Sequence, residues 1–243
     1  WQRWDICSLC EQQYHGVVRC ALGWACWKTY LGRPEVDGSR RMAMTQLGNG
    51  LSAAGHHEDA LSLRDAELST ERRLGAPQND ILTAQNNLAN TYTELGRLAE
   101  ANRMLRNVYC GRLKLNGEEH QSTLRAALNY ASTLSKLQRF EETKLLMRTN
   151  LPVARRVSGE SHELTLSMRA NYARALYTDP AATLDDLREA VTTVEDLERT
   201  TRRVLGGAHP FMARIEQYLR NARAKLRARE APPASETAAT AVP

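Results

Sequence analysis

The sequence predicts an all-α fold, a solenoid of antiparallel helical hairpins closed by a C-terminal capping helix. Three markers recur at one period. Ala60 in GHHEDAL, Ala101 in GRLAEAN and Thr143 in QRFEETK stand 41 and 42 residues apart. Asn87, Asn129 and Asn171 are spaced by 42. A Gly-x-x-His motif or its near variant begins at Gly75, Gly117, Gly159 and Gly206, with spacings of 42, 42 and 47, so the last unit carries an insertion of about five residues. A fixed period of this size is the signature of stacked repeats, in which each unit covers the apolar face of the next.

Each unit reads as two helices. In the clearest one, Ile81, Ala84 and Leu88 fall at i, i+3 and i+7, and Leu88, Tyr92 and Leu95 carry the same face onward. Gly96 then supplies the left-handed residue that a helix end favours. The second helix brings Ala101, Met104, Leu105, Val108 and Tyr109 onto one face. A small residue recurs at one place in the first helix, as Gly48, Ala89, Ala131 and Ala173, where it lets two helices approach closely.

Ala89, Tyr92 and Ala101, together with the segments NNLANTY, GRLAEA and GEEHQSTL, make the sequence resemble the tetratricopeptide repeat, in the long form found in kinesin light chains. The resemblance covers roughly residues 41–213. It implies a right-handed superhelix whose first helices line a concave groove, and a non-enzymatic protein-binding role.

Taken in order, residues 1–32 differ from the rest, holding four of the five Cys and all four Trp. Cys7 and Cys10 form a C-x2-C pair, followed by His15, Cys20 and Cys26. Zinc sites often start from such a knuckle. The pair reads either as a zinc site, the remnant of a RING- or MYND-type module, or as buried thiols ahead of an apolar helix over 16–30. Residues 32–38 form a turn-rich link, and residues 39–207 hold four repeats. The first has helices over 41–54 and 58–74. Its Gly48-Asn-Gly50 lacks the strand and third glycine of a phosphate-binding fingerprint. The second unit spans 82–115 and the third 124–157. In the third, Pro152 predicts a kink or a break, because it removes a helix hydrogen bond. The fourth opens over 165–177, turns at Asp179-Pro180 and restarts at a capping-box-like Thr183–Asp186. Pro210 suits the first turn of the capping helix over 208–229, where Phe211, Met212, Ile215, Leu219 and Ala222 share an apolar face. The outer face of that helix is basic. Residues 230–243, rich in Ala, Pro, Thr and Ser, read as a disordered tail.

Composition narrows the function. The net charge of +5 permits anionic partners without demanding them. No run of apolar residues is long enough to span a membrane, so no membrane partner is expected. No signal peptide is recognisable, and the odd count of five Cys favours a reducing, cytoplasmic setting over disulfides. Cys110 reads as a core thiol. The sequence starts at Trp1 without a Met, which leaves open whether residues are missing upstream.

No catalytic constellation is present in the sequence: no Ser-His-Asp set, P-loop or H-E-x-x-H. His120, His162 and His209 recur at one junction, which points to bonding of helix-end backbone rather than to metal. His56 and His57 read as solvated. Glu141, Glu142, Asp185 and Asp186 suit helix starts, where negative charge complements the dipole.

The expected working surface is the face of the first helices. The resemblance assigns to it Asn49, Asn86, Asn87, Asn90, Arg125, Asn129, Lys136, Asn171 and Arg174, with Thr45, Thr83 and Glu94 on the same face. An Asn amide donates and accepts at once, which suits an extended peptide backbone. The cationic members suit a carboxylate. Relative to tetratricopeptide domains that clamp a C-terminal carboxylate, Asn49, Asn87 and Arg125 match, whereas Thr45 and Asn129 replace Lys and Arg. Two roles stay open for Asn87, Asn129 and Asn171: peptide capture, or tying neighbouring helices together. The leading expectation is a scaffold binding a peptide of a protein partner, with no cofactor in the repeats. The alternative is the substrate-binding part of a RING-like zinc-dependent ubiquitin ligase. Nucleic acid is not expected, since the basic last helix lacks interleaved aromatics. Oligomeric state is left open.

Overall fold

The computed structural model describes residues 2–7, 9 and 13–231. The disordered-tail expectation therefore falls almost wholly outside the described residues. A short 3-10 turn at Gln2–Trp4 is followed by α1 (Gly16–Tyr30), α2 (Gly38–Ala53), α3 (His57–Arg73), α4 (Gln78–Glu94), α5 (Leu98–Asn116), α6 (Gln121–Lys136), α7 (Phe140–Ser158), α8 (Glu163–Thr178), α9 (Leu184–Leu205) and α10 (Pro210–Glu230). The fold class is all-α, a repeat of helical hairpins, as the periodicity predicts. The protein divides into two compact units, residues 1–117 and 118–243.

In the first unit, α1 packs on α2, and each of α2 to α5 packs on its neighbour in sequence. The α1–α2 contact is backbone against backbone. A Cβ on Gly23 would stand 3.0 Å from the Leu47 Cα, and one on Gly50 would stand 2.8 Å from the Arg19 carbonyl oxygen. Cys20 and Trp27 pack on the cluster of Leu47, Leu51 and Ala60, and a second cluster joins Leu68, Ala84 and Leu88. In the second unit, sequence neighbours pack in the same way. Here the first helices also touch one another, α6 with α8 and α8 with α10. Two core clusters hold this unit, one around Leu124, Met147, Met168 and Leu176 and one around Leu166, Val194, Leu197 and Ile215.

The period markers are core positions. Ala60, Ala101 and Thr143 are wholly buried, as are Ala89, Ala131 and Ala173. The hairpin turns close alike. The backbone N–H of Arg97 reaches back to the Tyr92 carbonyl at 2.9 Å over Gly96, whose φ is +75°. The same bond in the third repeat runs from Arg139 to Leu134 over Gln138, which adopts φ +60° without being glycine.

The histidines act at helix starts, as their recurrence predicts. Nδ1 of His120, His162 and His209 accepts from the backbone N–H two residues on, in Ser122, Leu164 and Phe211, at 3.1, 3.2 and 3.2 Å. Each bond satisfies one of the donors that a helix N-terminus leaves open. Thr183 and Asp186 complete a reciprocal capping box at the start of α9.

Three expectations need correction. Of the two outcomes expected at Pro152, a kink or a break, the break does not occur: α7 runs continuously from Phe140 to Ser158. Leu151, Val153 and Ala154 flank the proline and are buried, and their burial offsets the loss of ~3 kcal/mol that an interior proline costs a helix. Cys110 is exposed, because it stands two residues beyond buried Val108 and so turns to the opposite side of α5. His57 is half-buried, and its Nδ1 is shielded from solvent without a partner; His56 alone is exposed.

Candidate functional site

The first unit carries an asparagine-lined cavity of about 370 Å³. It collects Asn49 and Ser52 from α2, Asn87, Asn90, Thr91 and Glu94 from α4, Arg64 from α3 and Arg19 from α1. Arg64 is only 2% exposed. Its guanidinium donates to Glu67 Oε2 at 2.7 Å and to Asn49 Oδ1 at 2.6 Å, and the Thr45 hydroxyl bonds the other Glu67 oxygen. Asn49 thus helps hold a buried cation, leaving its amide N–H groups for any occupant. Arg19 is matched by Asp5 at 2.6 Å. With Arg19 and Arg64 both paired, this cavity offers amides and the Glu94 carboxylate rather than unpaired cations.

One turn along the same helices, a larger cavity of about 670 Å³ joins Thr45 and Thr83 with Arg41, Glu67, Glu71 and Asp80. Arg41 pairs with Glu71 at 2.6 Å. Buried Arg112 lies behind Thr83. It donates to the Asn79 carbonyl at 2.9 Å and to the Thr83 hydroxyl, and burial lowers its pKa.

The second unit has a cavity of about 260 Å³ on its own first helices. Leu128, Asn129 and Ser132 of α6, Ser167, Ala170, Asn171 and Arg174 of α8, and Arg214 and Tyr218 of α10 line it. Asn171 is 7% exposed, and its Oδ1 is shielded from solvent with no hydrogen-bond partner. An acceptor left in that state costs about 1–3 kcal/mol. Its Oδ1 therefore ties no neighbouring helix.

The structure thus gathers Asn49, Asn87 and Asn90 in one cavity and Asn129, Asn171 and Arg174 in another. Asn86, Arg125 and Lys136 line none of these three cavities; Asn86 is half-buried, and the two cations are exposed on α6. Of the C-x2-C pair, Cys7 is half-buried, while Cys10 lies outside the described residues. Among the described residues no three His, Cys, Asp or Glu side chains gather as a metal site. Cys26 is fully buried, and burial pushes its thiol pKa up. No described helix is long and apolar enough to cross a membrane.

Sequence reasoning missed Arg64 and Tyr218, and it counted Arg214 with the basic outer face of the last helix, whereas Arg214 lines the cavity of the second unit. Tyr218 follows Asn171, and Arg214 follows Ser167, by the same 47 positions that separate the last two Gly-x-x-His glycines. That register is visible in the sequence once α10 is counted as a repeat helix and not only as a cap. The signal for Arg64 is the glycine at position 48, where the other units have alanine.

The tetratricopeptide repeat pattern matches residues 81–122. No curated protein matches the sequence. Among solved structures, one from Podosopora anserina, described as kinesin light chain nearly identical TPR-like repeats, is 18% identical, with a TM-score of 0.61 over 81% of this chain and 100% of that one. BtubC (BKLC) from P. vanneervenii is 17% identical, with a TM-score of 0.61 over 92% of this chain and 96% of its own. A Rap protein complexed with competence and sporulation factor is 16% identical, with a TM-score of 0.58 over 87% of this chain and 60% of that one. At these identities the likeness is one of fold. The protein therefore carries a tetratricopeptide repeat at 81–122, set in the helical-hairpin fold of kinesin light chain-like repeat proteins.

Proposed function

We propose that the protein is a non-enzymatic interaction scaffold that binds an extended peptide segment of a partner protein on the asparagine-lined faces of its first helices. One observation carries this reading. Within each unit, asparagines from separate first helices line a single open cavity, Asn49 with Asn87 and Asn90 in one and Asn129 with Asn171 in the other. An extended peptide presents alternating N–H and C=O groups, and an amide side chain answers both. The fold is compatible with such a task, since the Rap protein of like fold was solved in complex with competence and sporulation factor.

Affinity on such a surface is a sum of modest contacts, each worth roughly 0.5–1.5 kcal/mol. Selection of a displayed random-peptide library on the full-length protein tests the reading. Selected peptides should lose about three- to tenfold in affinity with Asn87→Ala or Asn171→Ala, while thermal unfolding of the variants stays close to that of the parent. If no peptide is selected, or if both variants bind every selected peptide as the parent does, the assignment of these faces fails.

A further inference from the structure

We infer that α1 carries a docking face for a second copy of this chain, and that the two copies pair through an antiparallel α1–α1 contact centred on Trp24. The residues of this face line neither asparagine cavity.

Register places α1 in the array. The helices α1, α3, α5 and α7 begin at Gly16, His57, Leu98 and Phe140, at spacings of 41, 41 and 42. By position α1 is therefore the second helix of a unit ahead of the first repeat. Its inner side fits that place: Gly23 and Cys26 correspond to Arg64 and Glu67 of α3, and all four are buried. Its outer side departs from it. The place of Val18 is held by Asp59, Glu100 and Glu142 in α3, α5 and α7, and that of Trp24 by Asp65, Arg106 and Arg148. Where those helices carry charge, α1 exposes Val17, Val18, Ala21, Trp24 and Leu31. Val17 is 74% exposed, and Trp24 and Leu31 are each 46% exposed. A helix that is apolar on both sides belongs in an interior, and a continuous exposed apolar face marks a contact surface.

The occupant follows from the shape and charge of the face. Val17, Trp24 and Leu31 recur every seven residues, so they form one stripe with Trp24 at its centre. A two-fold axis at Trp24 sets Val17 of each copy against Leu31 of the other, and small Ala21 against the aliphatic stem of Lys28. The stripe is thus complementary to itself, as a two-fold contact between identical subunits requires. Charge agrees with this pairing. Of the 15 residues of α1 only Arg19 and Lys28 are charged, and Asp5 holds Arg19 at 2.6 Å. Lys28 makes no ion pair among the described residues. The antiparallel arrangement keeps the two Lys28 ammonium groups at opposite ends of the contact. It also brings each level with the start of α3 in the other copy, because α1 and α3 share one register and Cys20 and Trp27 pack on the same cluster as Ala60. Glu58 and Asp59 stand exposed there, in no ion pair among the described residues. Covered on both copies, the face removes on the order of 1,000 Å² from water, the threshold of a specific interface, so the dimer should be reversible.

The test uses the full chain. Sedimentation equilibrium from about 1 to about 200 µM should show monomer and dimer in exchange, with a Kd roughly in the micromolar range. Trp24→Glu should weaken the dimer at least tenfold. Val17→Glu alone and Leu31→Lys alone should each do the same. The double variant Val17→Glu/Leu31→Lys should recover much of the loss, because the two-fold sets the introduced carboxylate against the introduced ammonium of the other copy. All three positions are exposed, so each variant should keep the helical content and melting temperature of the parent at the dilute end of the range. A double variant no better than either single one overturns the antiparallel pairing. A dimer that Trp24→Glu leaves intact overturns the assignment of the face. A chain that stays monomeric throughout overturns the second copy as occupant and leaves the face to a helix of another protein. None of these outcomes bears on peptide capture at the asparagine-lined cavities.

Discussion

The guanidinium carbon of Arg64 stands 2.5 Å from where a Cβ on Gly48 would be. The glycine is therefore required by a buried cation on the next helix, and not only by close helix approach. In the later repeats the small residue is alanine, and the positions equivalent to Arg64 are apolar and wholly or almost wholly buried: Leu105, Met147 and Val194. Gly48→Ala should normally gain about 0.8–1 kcal/mol from helix propensity. Here the methyl group must displace the guanidinium from Glu67 and Asn49, and overpacking of that kind costs about 1–3 kcal/mol. We expect Gly48→Ala to be net destabilising in urea unfolding. The double variant Gly48→Ala/Arg64→Leu should recover part of that loss, because it recreates the pairing of the other units. Additive losses would show that the two positions are not coupled.

Gln138 sits in the hairpin turn where the second repeat has Gly96, with φ +60°. A left-handed conformation costs a residue with a side chain about 1–2 kcal/mol, and glycine gives back part of that gain through its extra freedom when unfolded. Gln138 is exposed, so its removal empties no core. Gln138→Gly should raise stability by about 0.5–1 kcal/mol, seen as a higher urea midpoint with an unchanged slope. A drop in midpoint would mean that the side chain does more in the turn than the backbone angle suggests.

What was legible in the sequence follows from what repeats. Buried Ala60, Ala101 and Thr143 recur because each faces the same neighbour in its own unit, so the period and the hairpins could be read directly. The histidine caps were legible for the same reason. Cys110, Pro152 and Arg64 occur once each, and no comparison between units constrains them. Their surroundings are set by tertiary packing: the far side of α5, the core around Leu151 and Ala154, and the space over Gly48. The face of the candidate site was visible as a stripe of asparagines. Which members share a cavity was not, because that depends on how neighbouring first helices lean together. Asn49 shows the limit, since the sequence gives no sign that its Oδ1 is already held by Arg64.

The three capping histidines invite a direct exchange. A side chain that accepts from the helix N-terminus is worth about 0.5–2 kcal/mol relative to alanine. His162→Ala should therefore lower the unfolding free energy by about 1 kcal/mol. His162→Asp should hold or exceed the parent, because the carboxylate both caps and meets the helix dipole. A structural role predicts this order, Asp at or above His and both above Ala, in thermal unfolding monitored by circular dichroism. If Asp proves as damaging as Ala, the histidine acts through its ring and not through the cap bond.

Lys144 joins the third repeat to the altered turn of the fourth. Its ammonium lies 3.0 Å from Asp179 and 2.5 Å from Glu141, and Lys144 and Asp179 are both buried. Burial opposes the charged form of Asp179, but Lys144 and the Ala181 N–H outweigh it and hold the carboxyl below its usual 3.8. Burial likewise opposes the charge on Lys144, and Glu141 with Asp179 outweigh it, raising the ammonium above 10.5. The signs fix two windows. Asp179 contributes stability above its unfolded pKa that is lost as pH falls through the lowered folded value; Lys144 contributes stability below its unfolded pKa that is lost as pH rises through the raised one. Asp179→Asn keeps the bond from Ala181 and leaves Lys144 with Glu141, so it should cost about 1–3 kcal/mol at neutral pH. It should also flatten the loss of stability below pH ~4. Lys144→Met strands a buried carboxylate, and breaking such a pair costs about 3–5 kcal/mol. Equilibrium unfolding across the acid and alkaline ranges separates the two: the Lys variant should be the weaker at neutral pH and should gain on the parent in acid, where Asp179 becomes neutral. Equal losses at neutral pH with unchanged acid and alkaline limbs would remove this pair from any account of why the turn at Asp179-Pro180 holds.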